Sequence, residues 1–338
     1  MKKYSSTHIG LCLAGLCGIA AGLIAGFRSF DQGSCKPSSS FRIYRCLFMI
    51  TVEIDDILRG FILICGYNWK SLEQANQLME NFNLLENETV AVSEKKRRRI
   101  KLFVVFYLNL YYPIFLLIVT FYIQDFKSDT RTKLIFLFTV NVTRLISIFG
   151  WLYAYNKFCG AVIKLIGCFE LINIQLKNLK NVTGVTKRLN RLRLMYSLAV
   201  RASVHLEDFA RFEIAHLYTI ATISNFTNIY TIYGENSSLR RKLISCLFMC
   251  GDAVYIIYIT IIMMRVNTVS YEESETLYEL SLLNEPDNLN REIELFLYRV
   301  SKNDVGFTFL NLFVINPSFI SSVITLFTTF ILTLPSLY

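Results

Sequence analysis

Four ionisable side chains crowd one short apolar stretch, ITVEIDDILRG at residues 50–60: Glu53, Asp55, Asp56 and Arg59. On a helix Asp55 and Arg59 are an i,i+4 pair and Asp56 and Arg59 an i,i+3 pair, so one guanidinium can neutralise one carboxylate. Glu53 and a second acid are left to face a cavity, water or Arg144 of another apolar stretch. Inside a membrane each unpaired charge costs a few kcal/mol, so such groups are kept for a reason. Two kinds of chemistry fit: a buried charge network that fixes helix register, or a ligand pocket or ion path. Asp252, in a further apolar stretch, raises the same question. Tyr111 and Tyr112 belong to a third apolar stretch rich in aromatic residues. They suit packing at lipid and interface, or the lining of a pocket.

A second pattern lies near the C-terminus. Placed on a helix at about 100° per residue, Ser318, Ser322, Thr325, Thr329, Thr333 and Ser336 form one narrow hydroxyl stripe. The other faces carry Phe319, Ile320, Val323, Ile324, Leu326, Phe327, Phe330, Ile331 and Leu332. Hydroxyls so placed can bond the carbonyl one turn back or hold neighbouring helices together. Asn316 followed by Pro317 is the chemistry of a helix start, an N-cap with proline in the first turn. The same INPSF segment does not match the N-P-x-x-Y of rhodopsin-like receptors, because Ile320 occupies the tyrosine position.

Catalysis finds no residues to carry it. His8, His205 and His216 have no metal-ligand spacing, and no nucleophile elbow or glycine-rich phosphate loop is present. The chain is not expected to be an enzyme, and no cofactor or metal is expected.

The elements that hold these residues follow from composition. Of 338 residues, 53% are hydrophobic and 14% aromatic, and the mean hydropathy is +0.41. That leaves too few polar groups to cover a soluble domain. Apolar stretches near the length needed to cross about 30 Å of hydrocarbon recur along the chain. They predict seven spans, at 8–27, 43–66, 102–123, 134–155, 213–234, 243–264 and 317–334. The charged stretch lies in the second and the hydroxyl stripe in the seventh. The fold class expected is therefore all-α, a polytopic protein in the plasma membrane with the lipid bilayer as its first partner.

Charge chooses the orientation. Of 35 Lys and Arg, 23 fall on one side of the spans and 10 on the other. Positive residues stay cytoplasmic, so the N-terminus is inside and the C-terminus outside. The run KKRRRIK at Lys95–Lys101 abuts the third span and reads as a cytoplasmic anchor, so no nucleic-acid partner is expected. Six cysteines lie in spans and Cys159 and Cys168 in the cytoplasm. Only Cys35 is external, too few for an extracellular disulfide framework. The first span could be a signal peptide, but its length and the small residues Ala14, Gly18, Gly22 and Gly26 favour a retained span with a close helix neighbour.

The chain thus divides into spans one to four (1–155), a cytoplasmic helical extension (156–212), spans five and six (213–264), further cytoplasmic helices (265–316) and the last helix (317–338). Segment 156–212 is basic and amphipathic, and 270–304 is acidic and amphipathic. The two either pack together, meet a neighbouring subunit, or are merely solvated.

The C-terminal region resembles the insect gustatory receptor family. Those proteins carry a stretch like F-T-A-C-G-L-F-x-L-D, then a last span with T-T-Y, about five apolar residues and Q-F. Here FTFLNLFVIN stands at Phe307–Asn316 and TTFILTLPSL at Thr328–Leu337. The resemblance covers about 210–338 and is topological before that. Asn311 replaces the family's glycine, Asn316 its aspartate, Phe330 its tyrosine, Ser336 its glutamine and Leu337 its final phenylalanine. Tyr298 stands where glutamine is common, and Pro335 is unusual there. The resemblance implies a chemosensory subunit of a tetrameric ligand-gated cation channel, homomeric or built with related receptor subunits, that takes a small-molecule ligand. It implies that the last helix lines the pore, which would make the hydroxyl stripe a pore wall. The competing classes are a non-conducting accessory or scaffold protein of the same fold and, less favoured, a G-protein-coupled receptor.

Overall fold

The computed structural model describes residues 2–31, 53–84, 131–181, 185–233, 239–282, 287–302 and 305–333. The expected third span with Tyr111 and Tyr112, the first part of the second span, Lys95–Lys101 and Ser336 lie outside them. The described chain is helical almost throughout. Helix α1 spans Lys2–Asp31, and α2 spans 53–61 and passes into a π-helical segment, Ile62–Gly66. Then come α3 (Trp69–Leu84), α4 (Arg131–Lys177) with a 3₁₀ turn at Asn178–Asn181, α5 (Val185–Tyr233), α6 (Leu239–Tyr271), α7 (Ser274–Ser281) and α8 (Asp287–Ser301). A two-stranded hairpin, β1 (Thr308–Phe309) and β2 (Phe313–Val314), leads into α9 (Pro317–Thr333).

Among the described residues three helical stretches are long and apolar enough to cross a membrane: Thr7–Ala25, Phe138–Lys177 and Ser245–Ser281. Helix α4 has 47 residues and α5 has 49. At about 1.5 Å per residue each is roughly 70 Å long, more than twice the hydrocarbon thickness. The fourth span therefore continues without a break into the basic segment, and the fifth emerges from it.

The chain forms two compact units. The first comprises Met1–Tyr67, Leu102–Lys157 and Phe212–Ile257. Here the small residues of α1 meet α2 at backbone distance. A Cβ placed on Gly15 would lie 2.7 Å from the Gly60 carbonyl oxygen, and one on Gly22 would lie 2.7 Å from that of Glu53. Gly18 lies against Ser147 of α4, and Ala14 against Gly150. The small-residue face thus serves two neighbours, and Gly15 belongs to it as well.

The second unit comprises Asn68–Lys101, Phe158–Arg211 and Tyr258–Tyr338. Its core is aromatic: Phe209 meets Trp69 edge-on at 5.1 Å, Phe158 meets Phe307 at 5.4 Å, and Tyr196 meets Phe296 at 5.3 Å. The basic and acidic segments meet in this unit. Arg193 pairs with Glu292, and Lys177 with Glu273 at 2.7 Å; Arg265 of α6 adds a contact to Glu170 at 3.6 Å. The hydrogen bond to Glu273, then its charge, holds the Lys177 ammonium above the usual lysine range. That contribution is present below the free lysine pKa and fades only in strong alkali, so the pair is constant across physiological pH. Lys177 is largely exposed, and the pair adds little stability.

In the hairpin Thr308 faces Val314 and Phe309 faces Phe313. Its turn places Leu310 and Asn311 in the left-handed region, at φ 51° and 61°. Asn311 is where the related motif has glycine, and asparagine is the non-glycine residue that best tolerates this conformation. Its N–H is taken up by Thr308 Oγ1 at 3.0 Å. Asn316 Oδ1 accepts the Phe319 N–H at 3.0 Å, and Pro317 is the first residue of α9.

Candidate functional site

The charged stretch of α2 is drawn inside the first unit. Glu53, Asp56 and Arg59 are 4%, 4% and 6% exposed. Arg59 is bonded to Asp55 one turn back and approaches Asp56 at 3.7 Å. Arg144 of α4 reaches the other oxygen of Asp56, with Nε 2.5 Å from Oδ2. His216 of α5 donates from Nε2 to Asp55 Oδ1 at 2.9 Å. The Arg59 guanidinium also lies over the Trp151 ring, 5.6 Å from its centroid, a cation–π contact strengthened by desolvation.

Alongside lies a fourth carboxylate, Glu213 of α5, with 2% exposure. Both of its oxygens are used: Tyr67 Oη donates to one at 2.9 Å and Trp151 Nε1 to the other at 2.6 Å. Charge-assisted hydrogen bonds of this kind hold a buried carboxylate in place of water. Trp151 in turn stacks on Tyr155 at 5.5 Å and leans on Tyr255 at 5.8 Å. The result is a polar cluster backed by an aromatic wall.

Helical spacing explains why one helix supplies so many members. Residues 55, 56 and 59 share a face of α2, and 144, 147 and 151 repeat at i, i+3, i+7 along α4. Residues 213 and 216 are one turn apart on α5. Of the residues singled out from sequence, Asp55, Asp56, Arg59 and Arg144 come together here, and Glu53 is buried on the same short helix. Glu213, His216, Trp151 and Tyr67 also belong and were not found from sequence. The signal was EIAH at 213–216, an acid and an imidazole one turn apart at the start of a span.

Chemically the cluster is a set of mutually neutralised groups rather than a nucleophile with its base. Within it, several buried atoms lack a partner among the described residues: Arg144 Nη2, His216 Nδ1 and Ser147 Oγ. Among the described residues no group of His, Cys, Asp and Glu could hold a metal ion. The cluster can fix helices, or it can exchange one of its internal bonds for a bond to a polar ligand.

The stripe residues of α9 are arranged differently. Ser318, Ser322, Thr325, Thr329 and Thr333 are all exposed in the single chain. Ser322, Thr325 and Thr333 donate to the carbonyls four residues back, at 3.0, 2.8 and 3.0 Å. Ile324 and Leu332, off the stripe, are also exposed, at 60% and 72%. So among the described side chains of α9 the hydroxyl face is exposed, Ile324 and Leu332 with it, while Phe319, Ile320 and Val323 near its start are half-buried.

No curated protein sequence matches the chain. Among solved structures, that of the insect olfactory receptor OR5 from Machilis hrabei is similar with a TM-score of 0.72 and 16% identity, covering 100% of this chain and 98% of that one. The same receptor in complex with eugenol is similar with a TM-score of 0.68, again at 16% identity and with the same coverage. These likenesses establish the fold, an all-α membrane fold. The profile of the family described as 7tm Chemosensory receptor, a family of receptors and not of enzymes, matches residues 27–334, nearly the whole chain. The chain belongs to the 7tm chemosensory receptor family.

Proposed function

We infer that the protein is a gustatory receptor-like subunit of a ligand-gated cation channel in the plasma membrane. Four copies would surround a central path, with α9 of each facing inward. The observation that carries this reading is α9, an apolar helix whose hydroxyl line is exposed in the single chain together with Ile324 and Leu332 on its apolar side. Such a helix needs lipid or other copies on its apolar sides and tolerates water along the hydroxyls. Donation to the preceding carbonyls satisfies the hydroxyl hydrogens of Ser322, Thr325 and Thr333 and leaves oxygen lone pairs to meet a passing cation. Together with the motifs at Phe307–Asn316 and Thr328–Leu337, this supports gustatory receptor-like over general chemosensory function.

The test is cysteine substitution in the expressed full chain. Cysteine at Thr325 or Thr329 should react with small thiol reagents and lose most of the current, while cysteine at Phe327 or Ile331 should be protected. Equal labelling of all four, or normal current with bulky residues at 325 and 329, would sink the pore assignment. A non-conducting accessory subunit would then be the better reading. The in-chain bonds of the α9 hydroxyls favour that alternative, since they need no water.

The charge count supports an N-terminus in the cytoplasm. Of the five glycosylation sequons, at Asn87, Asn141, Asn181, Asn225 and Asn236, only the last then lies in an external loop. Asn141 and Asn225 are buried in helices. Glycan mapping should find Asn236 or none. A glycan on Asn87 or Asn181 would reverse the orientation and restore the G-protein-coupled reading.

A further inference from the structure

A second polar cluster lies in the first unit, and among the described residues no cation neutralises it. Asp252 of α6 is partly buried, and its Oδ2 accepts a hydrogen bond from Ser224 Oγ of α5 at 3.2 Å. Asn228, one turn after Ser224 and 1% exposed, donates its Nδ2 to Ser224 Oγ at 3.5 Å. Asn225, 5% exposed, donates its Nδ2 to the Ala221 carbonyl at 2.8 Å. Each amide thus spends one of its two N–H donors inside α5. The amide oxygens, Asn225 Oδ1 and Asn228 Oδ1, have no partner among the described residues. Asp252 has no cation in salt-bridge range among the described residues either. The site is rich in acceptors and poor in donors, at a depth where an unpaired carboxylate is costly.

We propose that Asp252, with the amide oxygens of Asn228 and Asn225, receives the ammonium group of a primary amine ligand. An –NH3⁺ group offers three donors, and the cluster offers one carboxylate and two amide oxygens. Tyr255 lies one turn beyond Asp252 on α6 and packs against Trp151 and Tyr155, at 5.8 and 5.6 Å. That aromatic wall suits the body of an apolar or aromatic amine and attracts its cationic end. A bare alkali cation could use the same oxygens, but would make no use of the Tyr255 ring one turn away. The proposal rests on the receptor reading and names the ligand class it takes.

Binding is the readout, so the result does not depend on whether the protein conducts. The full chain in lipid nanodiscs is titrated with 2-phenylethylamine and with its neutral counterpart 2-phenylethanol, and thermal unfolding is followed. The amine should bind and the alcohol should bind about 10- to 100-fold more weakly, the usual discrimination of a charge-assisted hydrogen bond. Asp252→Asn, which keeps the shape and removes the charge, should bring the amine down to the level of the alcohol. Asn228→Leu should weaken the amine alone. Equal shifts by amine and alcohol, or amine binding unchanged in Asp252→Asn, would overturn the proposal. So would stabilisation by sodium at constant ionic strength that the amine fails to reproduce. Should Asp252→Asn not be recovered folded, the amine-to-alcohol ratio of the unaltered chain decides. Failure here leaves the cysteine test of α9 standing.

Discussion

Replacing Arg59 by alanine should remove most of the protein from the cell surface. The guanidinium serves Asp55 and Asp56 at once and lies over Trp151. Among the described residues its loss leaves Asp56 with Arg144 and Asp55 with His216 as the remaining partners. Breaking a buried pair by removing one partner costs about 3–5 kcal/mol. Against a total stability of about 5–15 kcal/mol that is enough to send the chain to degradation. Arg59→Lys should fall between, since it restores the charge without the two-pronged geometry. Adding Asp55→Ala to Arg59→Ala should recover part of the loss, because the stranded charge goes with it. Surface biotinylation of the three variants measures the order. Normal delivery of Arg59→Ala would mean that the stretch faces water and that no buried network exists.

Gly60→Ala, a change of one methyl group, should lower the unfolding temperature sharply. The new Cβ would lie 2.5 Å from the Gly15 carbonyl oxygen and 2.9 Å from the Ile19 nitrogen. Backbone atoms cannot turn aside as a side chain can, so α1 and α2 must separate. Overpacking of this kind costs about 1–3 kcal/mol or more, and it would also loosen the helix that carries the charged cluster. Gly160→Ala is the control, since nothing lies within 4 Å of a Cβ at that position of α4. There alanine should be neutral or stabilise by about 0.5–1 kcal/mol. A thermal melt of both variants in detergent gives the comparison, and equal melting points would show that the α1–α2 contact is loose.

Legibility in the sequence followed the range of the forces involved. Burial in lipid is signalled by every residue of a span, so the all-α membrane class stands out in composition and hydropathy. Cap chemistry is local, which is why Asn316 and Pro317 mark the start of α9. The charged cluster was half legible. Arg59 with Asp55 and Asp56 can be read because helical spacing brings them together, whereas the links from Tyr67 to Glu213 and from Asp55 to His216 join residues 146 and 161 positions apart. The EIAH run marks an acid and an imidazole one turn apart, but nothing local says which residues they meet. The π-helical segment at Ile62–Gly66 was not foreseen either. It lies where Ile64 is pressed against Gly15 of α1, a tertiary circumstance that the run ILICG does not encode.

The separation of those partners in the chain also has a consequence in time. The ribosome finishes the second span long before Arg144, 88 residues later, or His216, 161 residues after Asp55. At about 5–20 residues per second, the wait for the histidine alone is roughly 10–30 s. Throughout it a helix bearing three carboxylates and one guanidinium has little reason to leave the aqueous insertion channel for lipid. The nascent second helix is then expected to stay in the channel or with a membrane chaperone until the fourth and fifth helices supply Arg144 and His216.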